Sequence, residues 1–140
     1  MTDTIKGPGR GLDLDGNIIV DENMYHREIL PGSENFAEIF TAWGGDYEWA
    51  EFRCWYDTQA HVFYWLGQSG CSCHDFGVDS LGDLSAGSRA DALAALKHFL
   101  AEHDFWFDGR KRAELPARLR NVDVRKIERK EVADADAAAA

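Results

Sequence analysis

YEWAEFRCWYD (residues 47–57) and HVFYWL (residues 61–66) are the two runs whose reading decides how this chain folds. In the first run, side chains of period two place Ala50, Phe52, Cys54 and Tyr56 on one face and Tyr47, Trp49, Glu51, Arg53 and Trp55 on the other. Such alternation marks a strand, and two half-apolar faces mark a central one. The second run is β-branched and aromatic and follows the first after Thr58-Gln59-Ala60. The two therefore pair as an antiparallel hairpin with a four- or five-residue loop, stabilised by cross-strand aromatic pairs.

Working towards the N-terminus, Phe36–Trp43 is a further strand, with Phe36, Phe40 and Ala42 on one side and Ala37, Ile39, Thr41 and Trp43 on the other. Gly44-Gly45-Asp46 turns it into the central strand. Residues 21–34 are polar and read as a loop with Pro31-Gly32 as its turn. LDLDGNIIV (12–20) places two short β-favouring runs around Asp15-Gly16, the pair that suits a tight hairpin turn. Asp13, Asp15 and Asn17 match the first alternate ligands of an EF-hand loop, but Ile18 stands where the turn glycine belongs and Met24 where the bidentate glutamate belongs. Residues 1–11 carry Gly7, Pro8, Gly9 and Gly11 and little apolar surface, so they read as a flexible lead-in.

Towards the C-terminus, Gly67-Gln68-Ser69-Gly70 is expected to end the aromatic strand, and GVDSLGDLSAG (77–87) to form a loop with one short strand around Leu81–Leu84. Ser88 with Asp91 three residues on is a capping pair, and Leu93, Leu96, Phe99 and Leu100 form a stripe at helical spacing. They predict a helix over 89–103 lying across the sheet. Phe105-Trp106-Phe107 then reads as a plug for the core's edge. After Asp108-Gly109, Pro116 suggests a helix from Ala117 onward, but Leu119, Val122, Ile127 and Val132 are too sparse for a good stripe. This arm is expected to pack weakly or to fold on a partner, and the low-complexity ADADAAAA to have no structural role. The expected architecture is α+β: an antiparallel sheet of three to five strands under one main amphipathic helix, with a domain over 12–109 and a basic arm and tail over 110–140.

The chain has 140 residues and a net charge of −10, and 45% of it is hydrophobic, enough for one packed core. The charge is uneven. Residues 1–109 hold 6 Lys and Arg against 19 Asp and Glu, whereas 110–131 hold 9 against 4. An acidic body repels nucleic acid at long range, so nucleic acid is not an expected partner except through the arm 110–131, which is attracted first to its own acidic body. No apolar run approaches the ~20 residues of a spanning helix, and MTDTIKGPGRG has no apolar middle, so a cytoplasmic location away from membranes is expected.

Three cysteines in a reducing compartment do not suggest a disulfide framework. Cys54, Cys71, Cys73 and His74 make a complete Cys3His donor set for zinc, although C-x-C followed directly by His is not the usual two-residue knuckle. Two other readings stand beside zinc: small buried thiols in a tight turn, and a redox-active C-x-C pair. A thiol nucleophile would need Cys71 or Cys73 beside His61, His74, His98 or His103, oriented by a carboxylate such as Asp75, and nothing in the spacing selects the partner. G-x-S-x-G, H-E-x-x-H, P-loop and G-x-G-x-x-G patterns are absent, and the carboxylates are scattered singly, so the expectation leans away from an enzyme. Five Trp, eight Phe and four Tyr exceed what so small a sheet readily hides, which makes Trp43, Trp49, Trp55 and Trp106 candidates for an interaction surface.

The order of an aromatic strand, a short turn, Val62-Phe63-Tyr64-Trp65, Ser69-Gly70-Cys71-Ser72-Cys73, Phe76, a loop and an Ala/Leu helix resembles a group of small proteins encoded by phages of actinobacteria. The resemblance covers about residues 43–103, with His74 in place of the group's proline. It carries no functional residues over. It implies a phage accessory protein in the cytoplasm of an infected bacterium, and with the acidic aromatic-rich body it implies a host or phage protein as partner. The alternative is a small module held by zinc on Cys54, Cys71, Cys73 and His74.

Overall fold

The computed structural model describes residues 30–74 and 76–129. The expected lead-in over 1–11, the hairpin over 12–20 and the terminal ADADAAAA lie outside the described residues. The fold is α+β. Strands β1 (Phe36–Gly45), β2 (Glu48–Asp57), β3 (Val62–Cys71) and β4 (Ser85–Gly87) form one antiparallel sheet in the order β1-β2-β3-β4. Helices α1 (Arg89–Glu102) and α2 (Gly109–Arg120) cover one of its faces.

Strand β2 is the centre, as its two apolar faces predict. Ala50, Phe52, Cys54 and Tyr56 face the helices and share a core with Phe40, Ala42, Phe63, Leu96, Phe99, Leu100, Phe107, Leu115 and Leu119. Trp49 and Trp55 face the other way, into a second core with Leu30, Phe36, Phe76 and Val78. Among the described residues, no α-helix covers that face. The connection from β3 to β4 does, pressing Phe76, Val78, Leu81 and Leu84 onto it. Gln68 pins this connection: its side-chain amide donates to the Gly77 carbonyl at 2.6 Å and accepts from the Gly77 N–H at 3.0 Å, as a neighbouring strand would.

Three expectations are corrected in the strands. Simple alternation puts Phe36 and Phe40 on one side of β1, but the pairing with β2 slips between Glu38 and Phe40, so that Ile39 is the extra residue of a bulge. Phe36 therefore enters the second core while Phe40 and Ala42 enter the first. Residues 67–70 do not end β3. They pair with Trp49–Phe52, and their glycines supply room instead: a Cβ on Gly67 would lie 2.5 Å from the Phe99 ring, and one on Gly70 would overlap the ring of His74. Leu81–Asp83 is a 3-10 turn, and the short strand follows it at Ser85–Gly87.

Helix α1 starts as its sequence predicts: Ser88 Oγ accepts from the Asp91 N–H, and the Asp91 carboxylate accepts from the Ser88 N–H at 3.0 Å. Helix α2 departs from expectation. It begins at Gly109, capped by Asp108, and carries Pro116 in its interior rather than in its first turn. Leu115 and Leu119, one turn apart, suffice to bury its face, and Leu119 is fully buried. The first part of the basic arm thus completes the main core, with Arg89 of α1 donating to the Leu119 carbonyl at 2.8 Å. Among the described residues, no Lys or Arg of 110–129 pairs with a carboxylate of the sheet; the arm's contact with the sheet's polar groups is made by its acid, Glu128.

The sheet has two chemically different ends. The β2–β3 loop lies at one, where Thr58 bonds Asn35 and Glu128 reaches His61. The β1–β2 turn and the C-terminal end of β3 lie at the other.

Two substitutions test the packing. Leu119→Ala is expected to cost about 2–5 kcal/mol in urea unfolding, as for a core leucine; a cost below about 0.5 kcal/mol would return α2 to a surface arm. Gly67→Ala should destabilise by about 1–3 kcal/mol because Phe99 must yield to the new methyl group, and Gly67→Ala combined with Phe99→Leu should recover part of that loss.

Candidate functional site

The C-terminal end of β3 runs directly into a β-turn over Cys71-Ser72-Cys73-His74, closed by the His74 N–H donating to the Cys71 carbonyl at 3.3 Å. Cys71 and Cys73 are joined in a disulfide across this turn. His74 lies beside it, with Nδ1 3.5 Å from the Cys73 sulfur. The two sulfurs and an imidazole nitrogen all fall within 4.8 Å of one another. Trp49 holds the turn from below: its indole N–H is shared between the carbonyls of Cys71 at 2.9 Å and His74 at 3.0 Å. Its ring meets the imidazole edge-on, with centroids 5.8 Å apart. Both ends of the turn are therefore tied to a buried side chain of the central strand.

Of the four residues expected to hold zinc, the fold brings three together and not the fourth. Cys54 lies opposite Trp65, six residues along β3 from Cys71, a separation of about 20 Å at ~3.3 Å per residue. It belongs to the helix-side core, where burial, partly offset by the charge of Arg89, pushes its thiol up to about 12. The Cys3His site is thus corrected to a surface cluster of two sulfurs and one imidazole nitrogen. The expectation that Cys71 and Cys73 are small buried thiols in a tight turn is corrected: they lie at the surface and are joined to each other, and among the described residues Cys54 is the free, buried cysteine.

The imidazoles considered for a thiol nucleophile are dispersed. Among the described residues only His74 adjoins a cysteine sulfur; His98 pairs with Glu102 along α1, His103 stacks on Phe99, and His61 sits at the opposite end of the sheet. Asp75 lies outside the described residues. Around His61 stands a polar group that the sequence did not suggest. Tyr56 Oη donates to the Glu128 carboxylate at 2.9 Å, and His61 Nδ1 lies 2.7 Å from the same oxygen and 3.0 Å from Tyr56 Oη. Seventy-two residues separate Tyr56 from Glu128, so no local spacing could have shown it. Burial and then Glu128 push the Tyr56 hydroxyl up to about 12. The group pins the helical segment 124–129 to the sheet.

The aromatic candidates divide. Trp49 and Trp55 are buried in the second core and are removed from any interaction surface. Trp43 is 55% exposed, and Trp106 is half-buried against Gly44. Two further rings are more exposed than either: Tyr47 at 79% and Phe105 at 85%. Phe105 stacks edge-on against Trp106 with centroids 4.8 Å apart, so the α1–α2 connection sets Phe105 beside the β1–β2 turn that carries Tyr47. Tyr47 was expected on the central strand beside Trp49, but β2 begins at Glu48 and leaves Tyr47 at the hairpin tip, where no sheet covers it. Of the three rings expected to plug the core's edge, Phe107, fully buried, fills that role and Phe105 does not.

Both raised acids predict an alkaline limit to stability. Cys54 moves from 9.0 and Tyr56 from 10.0, each to about 12, so the folded state holds both protons more tightly than the unfolded chain. Their contribution is complete below about pH 9 and is lost as pH rises towards about 12. In urea unfolding measured across this range, Cys54→Val should flatten the decline relative to the native chain; an unchanged slope would remove Cys54 from the account. No family model, curated protein or solved structure matches the chain.

Proposed function

We propose that this is a non-enzymatic binding protein, of the phage accessory kind that its sequence resemblance implies, which docks a protein partner at the end of the sheet that carries Trp43, Tyr47, Phe105 and Trp106. The observation that carries this reading is the exposure of Trp43, Tyr47 and Phe105 at one end of a molecule that buries Trp49, Trp55, Phe36, Phe52 and Phe107. Exposed rings supply large, stiff contact area and are common anchors of interfaces. Their surroundings are acidic. Asp46 and Glu48 flank Tyr47, and Asp104 precedes Phe105. A partner surface with an apolar centre and a basic rim is complementary to this arrangement.

The reading of a fold held together by zinc has less support. With Cys54 in the helix-side core, the remaining three donors lie within four residues of one surface turn, and a ligand there would brace that turn rather than the two cores. The test of the binding reading uses two proteins: the native chain and Tyr47→Ser/Phe105→Ser. Both side chains are exposed, so the variant should unfold within about 0.5 kcal/mol of the native chain. In pull-downs from a bacterial host lysate, the native chain should retain a stoichiometric protein and the variant should lose at least ten-fold of it. Equal retention by both, or no stoichiometric partner for either, would overturn this reading.

A further inference from the structure

From the turn at Cys71–His74 we infer a redox-gated site for Zn2+: the reduced chain binds the ion through Cys71 Sγ, Cys73 Sγ and His74, and the Cys71–Cys73 disulfide closes the site. Three observations converge on it. The donors are the types that zinc takes, two thiolates and an imidazole, and they already lie within 4.8 Å of one another. The 3.5 Å between the Cys73 sulfur and His74 Nδ1 matches the edge of about 3.6 Å that tetrahedral geometry gives for bonds of ~2.3 and ~2.05 Å. The turn is also held in place independently of any ion, by the bifurcated Trp49 N–H and by the seat that Gly70 leaves for the imidazole. Support of this kind behind the ligands is what fixes a site's geometry.

The gating follows from distance. Two thiolates on one tetrahedral zinc stand about 3.8 Å apart, whereas bonded sulfurs stand ~2.05 Å apart, so one pair of sulfurs serves the ion or the disulfide but not both. Opening the site takes two equivalents of a cellular thiol. The first attacks one sulfur, breaking the S–S bond and leaving a mixed disulfide and one protein thiol; the second releases the oxidised thiol dimer and the other protein thiol. Two electrons and two protons have then passed to Cys71 and Cys73. Binding Zn2+ releases those two protons to solvent, and the fourth coordination position is left to water or to a group from outside the turn. Cys54 takes no part, being about 20 Å away along the sheet. This inference does not depend on the aromatic docking surface.

The test uses the full chain, fully reduced with a phosphine or fully oxidised, titrated with Zn2+ against a chromophoric chelator. The reduced chain should take up one equivalent and the oxidised chain none at the same concentration. Cys73→Ser should abolish uptake, Cys54→Ser should leave it unchanged, and His74→Ala and Gly70→Ala should each weaken it at least ten-fold. A thiol-specific reagent supplies a second readout: two thiols of the reduced native chain should react quickly, and Zn2+ should protect both. Equal uptake by the oxidised and reduced chains, or uptake undiminished in Cys71→Ser/Cys73→Ser, would overturn the proposal. Undiminished uptake in both His74→Ala and Gly70→Ala would overturn the imidazole's part in it.

Discussion

Strand β2 cannot be left with either face in water. Phe52 and Tyr56 require a cover on one side, Trp49 and Trp55 on the other, and each side has been given a different kind. Helices suit the first because α1 and α2 bring stripes of leucine and phenylalanine. The second is met by a connection without an α-helix, only a single 3-10 turn at Leu81–Asp83, and such a connection carries backbone polar groups that need partners. Gln68 resolves that difficulty by offering Gly77 the donor and acceptor of a neighbouring strand. Arg53 adds to the cover by lying over the Phe76 ring, 4.6 Å from its centroid, while pairing with the buried Glu51. The glycines of β3 answer the same demand, since Gly67 and Gly70 let rings from both covers approach the sheet backbone.

Much of this was legible because it is written locally. The capping pair Ser88/Asp91 and the stripe behind it placed α1 to within a residue, and strict alternation in 47–57 identified the central strand. What was not legible depends on a partner distant in sequence. The bulge at Ile39 is visible only against β2, because a bulge is an irregularity of pairing rather than of composition. Gly67 and Gly70 read as strand breakers because their reason, the rings of Phe99 and His74, comes from elsewhere in the chain. Helix α2 looked too poor in apolar residues because a helix covering a small remaining gap needs only Leu115 and Leu119.

The candidate site was legible in the same partial way. Adjacent donors in 71–74 were plain in the sequence, whereas the exclusion of Cys54 required knowing how far along the sheet it falls. Among the tryptophans, Trp43 and Trp49 flank the same turn and read alike, yet one is exposed and the other buried. The difference is the neighbour: Trp49 stands on the central strand under the turn that it holds, and Trp43 stands on an edge strand. Periodicity gives the face of a strand but not what lies over it.

The first and last of the described residues lie at the same end of the sheet. Leu30 and the start of β1 lie near the β2–β3 loop, and Glu128, close to the last described residue, is anchored at that same end. The disulfide turn and the exposed rings lie at the opposite end, about 30 Å away for strands of ten residues. Anything bound at the end that holds Leu30 and Glu128 therefore leaves the disulfide turn and the exposed rings uncovered at the other, like the head of a pedestal.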